Sequence, residues 1–163
     1  MAIRIPRRTA LGLAAAAVVV AGTGLALKAL PGESSAADPP DLRLGQHTCD
    51  QCGMVISDER FAAGWRASGS QQRFDDIGCM ITNYRNAGRP NVKAWVHDYD
   101  SHSWIPAAPA TFVVSSTINS PMAYGVAALN TSEAAAALAT ASGGSVTGWD
   151  PLVETLPAGA QHG

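Results

Sequence analysis

Residues 61–84 decide the fold, and they read FAAGWRASGSQQRFDDIGCMITNY. The Ser-Gly-Ser turn at residues 68–70 separates two strand-like runs, which is the pattern of a β-hairpin. Either Asp75 or Asp76 can cap a helix that starts directly after the second strand. In that helix the apolar residues recur at helical spacing, namely Ile77, Met80, Ile81 and Tyr84. The stretch therefore predicts a strand–strand–helix unit.

The same order of elements continues along the rest of the chain. Further strand-like runs occur at residues 92–99, 112–116, 124–129 and 145–149. Residues 130–133 (NTSE) resemble a capping box that starts a second helix, and Gly143-Gly144 ends it. Because hairpin neighbours pair in antiparallel fashion, we predict an α+β fold of two tandem ββαβ repeats that form separate small antiparallel sheets.

The N-terminal residues 1–36 have the composition of a targeting segment. The pair Arg7-Arg8 precedes an uncharged run, residues 10–27, and Lys28 closes that run. This pattern predicts a twin-arginine-like export signal or a retained N-terminal anchor. In both cases the remaining chain lies in the periplasm or on the outer face of the cytoplasmic membrane. It then meets the membrane only through an uncleaved N-terminal helix.

The rest of the chain divides into three parts. Residues 37–48 contain the pair Pro39-Pro40 and are expected to be a flexible linker. A single folded domain is expected at residues 49–150. The Pro- and Gly-containing residues 151–163 are expected to be a flexible tail.

Composition and motif content exclude several classes of protein. The formal net charge of −2 provides no basic field of the kind that nucleic-acid binders need. Three cysteines are too few for a scaffold of several disulfides. The sequence has neither a G-x-S-x-G nucleophile elbow nor a phosphate-binding glycine loop. We therefore predict a protein that is not an enzyme and that has no nucleic-acid partner.

Soft metal ligands are concentrated in residues 49–54, which read CDQCGM. Thiol and thioether sulfur select Cu(I), whereas hard cations prefer oxygen. Gly53 lets the backbone turn sharply, so that Cys52 and Met54 can face one point. The pattern therefore indicates a copper(I) site, with Cys49 as a further candidate donor.

Three other interpretations of Cys49 and Cys52 stay open on these residues alone. Export permits a structural disulfide between them. They could instead bind zinc together with His97 and His102, although the interval to His97 exceeds that of zinc fingers. The third interpretation is an exported thiol–disulfide oxidoreductase that uses Cys49-x-x-Cys52 as its redox pair, although the βαβ context of such motifs is missing.

Residues outside this segment carry separate expectations. Cys79 falls opposite Ile77 on the helix, because each residue advances the helix by about 100°, and we interpret it as a small buried hydrophobe. The proline before Met122 predicts a turn or edge segment, where the side chain is available as a sulfur ligand. His97 and His102 are expected to form hydrogen bonds at the surface, near a strand end.

Five distinctive blocks follow one another between residues 49 and 129. They read CDQCGM at 49–54, FDDIGCM at 74–80, VHDY at 96–99, WI at 104–105 and SPMAYG at 120–125. In this order they resemble the NosL family, the accessory copper chaperones of nitrous oxide reductase maturation. Five blocks in a fixed order are far more specific than any one of them.

The resemblance implies both a fold and a function. The fold would be two ββαβ repeats, similar to part of organomercurial lyase, and the cargo would be one Cu(I) ion. The Cys-Gly-Met and Pro-Met motifs of the family imply three sulfur ligands here, which are Cys52, Met54 and Met122. The groups that would support the site or the fold are Asp75, Asp76, Cys79 and His97. The implied partners are apo-nitrous oxide reductase and membrane-associated assembly factors.

The start of the chain departs from the family pattern. Family members are typically lipoproteins, with an acylated cysteine just after the signal. The first cysteine in this sequence is Cys49, well beyond the apolar run. This predicts free export, or retention by the uncleaved helix, instead of a lipid anchor.

Overall fold

The computed structural model describes residues 38–67 and 69–157. In these ranges the chain forms seven strands, three α-helices and one short 3-10 helix, Glu59–Phe61. The strands are β1 (Ala63–Ala67), β2 (Ser70–Phe74), β3 (Lys93–His97), β4 (Trp104–Pro106), β5 (Thr111–Val114), β6 (Val126–Leu129) and β7 (Ser145–Thr147). The helices are α1 (Ile77–Asn86), α2 (Ser132–Ser142) and α3 (Trp149–Thr155).

The strands form two separate antiparallel sheets, which confirms the predicted fold class. The first sheet has the order β2-β1-β3-β4 and the second has the order β6-β5-β7. The successions β1-β2-α1-β3 and β5-β6-α2-β7 are the two ββαβ repeats. Strand β4 was not predicted; it extends the first sheet and places Ile105 opposite Val96.

The first hairpin and α1 begin where the sequence predicts. Gly69 adopts φ +79° between β1 and β2, whose outer pair is Ala63 opposite Phe74. Asp76 is the cap of α1, because its side chain accepts a hydrogen bond from Gly78 N at 2.8 Å. The first six residues of α1 are all buried. This end of the helix therefore has no side that faces solvent.

Helix α2 is bounded by the residues that the sequence indicates. The Oγ1 atom of Thr131 accepts a hydrogen bond from Ala134 N at 3.2 Å, so Thr131 is the cap within the NTSE segment. Gly143 ends the helix in the left-handed region at φ +62°, where glycine carries no Cβ penalty. Strand β7 follows directly and joins β5 at the edge of the second sheet.

The two repeats share one main core. Strands β2, β5 and β6 and helices α1 and α3 each contribute to it, with Phe74, Phe112, Val126, Ile77 and Leu152 among the buried side chains. A smaller cluster packs beneath α2 and contains Phe61, Val113 and Leu129. Burial of each large apolar side chain stabilises the fold by roughly 1.5–3 kcal/mol. The shared core holds the two sheets in one domain.

The prediction of a flexible linker is wrong for residues 39–48. Pro40 is buried, and Leu42 packs against the main core. Arg66 on β1 donates a hydrogen bond from Nε to the carbonyl oxygen of Pro39 at 2.9 Å. These contacts join residues far apart in the chain, and a local proline pattern does not reveal them.

The prediction of a flexible tail is wrong for the first part of residues 151–163. Helix α3 continues through it, and Leu152 and Val153 of the helix and Leu156 directly after it are at most 5% exposed. Arg85 of α1 donates hydrogen bonds to the carbonyl oxygens of Val153 and Leu156, at 2.6 and 2.7 Å. The apolar side chains and these two bonds make the segment part of the domain.

The predicted targeting segment, residues 1–36, lies outside the described residues. Its role as an export signal or an anchor stays a prediction. Of the helices in residues 38–67 and 69–157, none is both long enough and apolar enough to cross a membrane.

Candidate metal centre

Three thiols and one carboxylate converge beside the N-terminus of α1. The donor atoms of Cys49, Cys52, Asp75 and Cys79 all lie within 4.8 Å of one another, and we call this group the thiol cluster. Among the described residues, no other group of three or more His, Cys, Asp or Glu side chains is arranged in this way. Two sulfur ligands of one ion lie at most about 4.6 Å apart, because a metal–sulfur bond is about 2.3 Å long. The thiol cluster is therefore close to the size of a metal site.

A tight turn brings Cys49 and Cys52 to the same place. Cys49 N donates to the carbonyl oxygen of Met54 at 2.8 Å, and Gly53 N donates to that of Cys49 at 2.9 Å. Gly53 adopts φ +76°, in the region that favours glycine. Residues 49–54, the cysteine loop, thus turn at the glycine that the sequence indicates.

Reciprocal hydrogen bonds fasten the cysteine loop to β2. Asp50 N donates to the carbonyl oxygen of Arg73 at 2.8 Å, and Arg73 N donates to Asp50 Oδ2 at 2.6 Å. Asp75 follows two residues after this attachment, where β2 leads into α1. The attachment therefore brings the two thiols of the loop to Asp75 and to Cys79 in the first turn of α1.

The centre has a buried side and an open side. Cys49 and Cys79 are only 2% and 1% exposed. Cys52 lies at the surface, and its loop neighbour Met54 is 50% exposed. Among the described residues of the cluster, the solvent-exposed side of the centre is therefore the side of Cys52.

Asp75 has one carboxylate oxygen that lacks a hydrogen-bond donor of normal geometry among the described residues. Its Oδ1 accepts a hydrogen bond from the Cys52 thiol, with 3.5 Å between Sγ and Oδ1. Its Oδ2 is buried and accepts no hydrogen bond of normal geometry from any described residue. A buried acceptor without a donor costs free energy, and a cation beside the thiols would remove that cost. The residues of the thiol cluster therefore fit a bound cation.

The three thiols differ in their affinity for a proton. The Cys79 thiol donates a hydrogen bond to the sulfur of Cys49 and lowers the pKa of Cys49 to about 7. The same bond, together with burial, raises the pKa of Cys79. Burial raises the pKa of Cys52 to about 11. Of the three thiols in the metal-free centre, Cys49 is therefore the one that ionises most readily near neutral pH.

The predicted ligand Met122 lies in a loop of the second repeat that contacts the start of α1. Residues 120–125 form this segment, the Met122 loop, and Met122 N donates to Asp76 Oδ2 at 3.0 Å. Asp75 bonds to Cys52 of the cysteine loop, and the next residue, Asp76, bonds to the Met122 loop. Two consecutive residues therefore hold both loops. The side chain of Met122 is partly buried against the main core.

The two histidines lie apart from the thiol cluster, so the zinc interpretation lacks its ligands. His97 is 2% exposed and donates from Nδ1 to the carbonyl oxygen of Ala62 at 2.9 Å, so its predicted surface position is wrong. Its Nε2 lies 3.8 Å from Glu59, and His102 Nδ1 lies 3.7 Å from the same carboxylate. The ring of His97 packs on that of Trp104, with 3.8 Å between their centroids. Strand β4 creates this buried environment, and the sequence did not predict β4.

Sequence reasoning left Cys79 outside the ligand set. Cys79 is buried, as the sequence analysis predicted, but its thiol lies with those of the cysteine loop. A usable signal was present, because Asp75 and Cys79 are four residues apart, close to the spacing that puts helical neighbours on one face. The structure thus adds a third thiol and a carboxylate to the donors that the sequence identified in the cysteine loop.

The fold and the centre together define a class: small α+β proteins of two ββαβ repeats with sulfur donors where the repeats meet. The NosL family model matches residues 43–156, and the chain belongs to the NosL family. The crystal structure of the copper chaperone NosL from Shewanella denitrificans has a similar fold, with a TM-score of 0.57 and 21% sequence identity over 74% of this chain and 96% of that one. No curated protein matches the chain at a significant level.

Proposed function

We propose that this protein is an extracytoplasmic copper(I) chaperone that supports maturation of the copper centres of nitrous oxide reductase. Its membership of the NosL family supports this role, as does the likeness in fold to a protein described as a copper chaperone. The observation that carries the proposal is the convergence of three cysteine thiols within 4.8 Å. Membrane-associated assembly factors would supply the ion, and apo-nitrous oxide reductase would receive it.

The donor atoms favour Cu(I) over hard cargo ions. Sulfur is a soft donor and selects Cu(I), whereas calcium and magnesium require six or more oxygen ligands. We assign the ion to Cys52, Met54 and Met122, with Cys49 as a further donor. Cys79 and Asp75 lie close enough to Cys52 to complete or adjust this set.

The half-open geometry of the centre suits delivery. Cys52 and Met54 lie at the surface, so a sulfur or imidazole of a partner can approach the ion from solvent. The partner's ligands can then replace those of the chaperone one at a time. Throughout this exchange the ion stays bound to at least one soft donor.

The exported thiol–disulfide oxidoreductase has weaker support. Such an enzyme attacks its substrate with an accessible thiolate. Cys52 is accessible, but burial raises its pKa to about 11. Cys49 has a pKa lowered to about 7 by the Cys79 thiol, but it is 2% exposed. Neither cysteine is therefore both accessible to solvent and readily ionised to the thiolate.

Copper titration of the reduced, full-length protein tests the proposal. In competition with a coloured Cu(I) chelator, the protein should bind one Cu(I) per chain. Cys52→Ser and Met54→Ala should each weaken binding by about tenfold or more, since losing even an outer hydrogen-bond partner of a ligand has that effect. Val55→Ala is the matched control, because Val55 is 51% exposed beside Met54 and has no donor atom.

Two results would contradict this assignment. Unchanged copper affinity in both ligand variants would show that the ion binds elsewhere. Turnover of a disulfide substrate without Cu(I) binding would identify the oxidoreductase instead.

The delivery step needs a separate measurement. Copper-loaded protein mixed with apo-nitrous oxide reductase should raise the copper content of the re-isolated reductase faster than the same amount of chelated Cu(I). Equal rates from both sources would mean that the protein stores copper without delivering it.

A further inference from the structure

The buried carboxylate of Asp76 connects two parts of the chain. Its Oδ1 accepts a hydrogen bond from Gly78 N at 2.8 Å, which caps α1. Its Oδ2 accepts one from Met122 N at 3.0 Å, 46 residues further along the chain. The side chain is 0% exposed. One residue therefore fixes the start of a helix in the first repeat and the backbone of a loop in the second.

The Met122 loop needs such external support. Ala123 adopts φ +57°, in the left-handed region that residues with a Cβ seldom occupy. Gly125 adopts φ +65°, and Gly125 N donates to the Ser120 hydroxyl oxygen at 3.0 Å. A backbone in this strained region persists only where its surroundings hold it. The bond from Met122 N to Asp76 lies next to the strained residue.

Tyr124 provides a second attachment to α1. Its ring lies directly over Gly78, at the position that a Cβ atom would occupy. Its hydroxyl forms a hydrogen bond with Thr82 Oγ1 at 3.0 Å. The Met122 loop is thus held along the first turns of the helix that carries Cys79.

We propose that Asp76 is a positioning residue that holds Met122 where its sulfur can complete the copper site. This inference rests on the proposed function, in which Met122 is a ligand. In the described residues the Asp76 carboxylate accepts hydrogen bonds from Gly78 N and Met122 N, and we place its effect on the site in the bond to Met122. Asp75, the residue before Asp76, accepts a hydrogen bond from Cys52. The consecutive residues Asp75 and Asp76 therefore connect Cys52 of the first repeat with Met122 of the second.

The Asp76→Asn variant separates the helix-capping role of Asp76 from its hydrogen bond with Met122 N. Asparagine caps helices as well as aspartate does, so its Oδ1 can keep the bond from Gly78 N. Its amide nitrogen then faces Met122 N, and two donors cannot bond with each other. Copper(I) affinity of the full-length, reduced variant should fall by about tenfold, the equivalent of one hydrogen bond to a charged group.

A double-mutant comparison distinguishes positioning from general damage. In a Met122→Ala background, Asp76→Asn should cause no further loss of affinity, because the side chain that it positions is already absent. X-ray absorption of the copper-loaded Asp76→Asn variant should show one sulfur ligand fewer, as in Met122→Ala. Thr131→Ala is the matched control: it removes the cap of α2 and should leave copper affinity unchanged.

Each outcome decides the inference. The positioning role is wrong if Asp76→Asn weakens copper binding equally with and without the Met122 side chain. It is also wrong if Asp76→Asn leaves the copper affinity unchanged while Met122→Ala weakens it. In both cases the proposed function stands. If Met122→Ala itself has no effect, both the ligand assignment and the inference fail. Should Asp76→Asn not fold, Asp76→Ser gives the same test, because serine caps the helix but is too short to reach Met122.

Discussion

Cys52 Sγ lies 3.5 Å from Asp75 Oδ1, and this hydrogen bond joins the cysteine loop to the start of α1. The bond holds a proton on the thiol that we assign as a copper ligand. A thiol binds copper as the thiolate, so that proton must leave when the ion arrives. Asp75 then accepts one bond fewer, and its charge lies beside the incoming cation.

Copper affinity should therefore depend on pH. With a pKa near 11, Cys52 is protonated at neutral pH, and the proton competes with Cu(I). Between about pH 7.5 and 9.5 the affinity should rise about tenfold per pH unit, as expected for the release of one proton. Below about pH 7 the slope should steepen as Cys49 also takes up a proton.

Chelator competition at a series of pH values measures this dependence. The Cys49→Ser variant should keep a slope of about one proton throughout. A copper affinity that does not change with pH would show that the ion displaces no thiol proton.

The stability of the fold should fall in mild acid because of His97. Burial lowers the pKa of this ring, so the unfolded chain, with an ordinary value near 6.5, binds a proton more readily than the folded one. The contribution of neutral His97 to the free energy of unfolding is therefore fully present above about pH 6.5. It is lost as the pH decreases towards the pKa of His97 in the folded protein. Urea midpoints at about pH 7 and pH 5.5 measure the loss.

Two histidine variants identify the source of that loss. His97→Gln should reduce the difference between the two midpoints, whatever its effect on overall stability. His102→Gln should change the difference less than His97→Gln does, because the side chain of His102 is 46% exposed and burial is the largest cause of the His97 shift. An undiminished difference in His97→Gln would mean that another group is responsible.

Gly78→Ala should destabilise the protein although alanine is the better helix former. The added Cβ would overlap the ring of Tyr124, and overpacking of this kind costs about 1–3 kcal/mol. In a Tyr124→Ala background the overlap is gone, and the same change should stabilise the helix by up to about 1 kcal/mol. Urea unfolding of the four proteins checks this reversal of sign, and a penalty that persists without Tyr124 would contradict the contact.

Leu152→Ala should destabilise the domain by about 2–5 kcal/mol, as for other leucines removed from a core. The reason is that α3 is a folded part of the domain and Leu152 is 1% exposed. Val146→Ala serves as a control, since its side chain is 48% exposed, and it should change stability by less than about 0.5 kcal/mol. A similarly small effect at Leu152 would mean that the C-terminal segment is not packed in solution.

Local patterns predicted the elements that depend on neighbouring residues. The hairpin at Gly69, the helix that follows Asp76 and the end of α2 at Gly143 were all predicted correctly. Each is determined by residues within one turn of the chain, through a φ preference or a side-chain cap.

The predictions that failed concern segments stabilised by distant partners. Pro40 packs against Gly64 of β1, and the C-terminal residues are held by Arg85. Cys79 is buried as predicted, but no periodicity shows that its thiol meets those of the cysteine loop. The sequence therefore indicated sulfur donors without showing that a third thiol lies among them.

The reciprocal bonds between Asp50 and Arg73 have a consequence for self-association. Strand β2 is the outer strand of its sheet, and the exposed edge of such a strand can pair with a second molecule. The cysteine loop occupies both backbone groups of Arg73 on that edge. The segment that contains the proposed copper ligands Cys52 and Met54 thus also blocks this part of the edge against pairing with a second molecule.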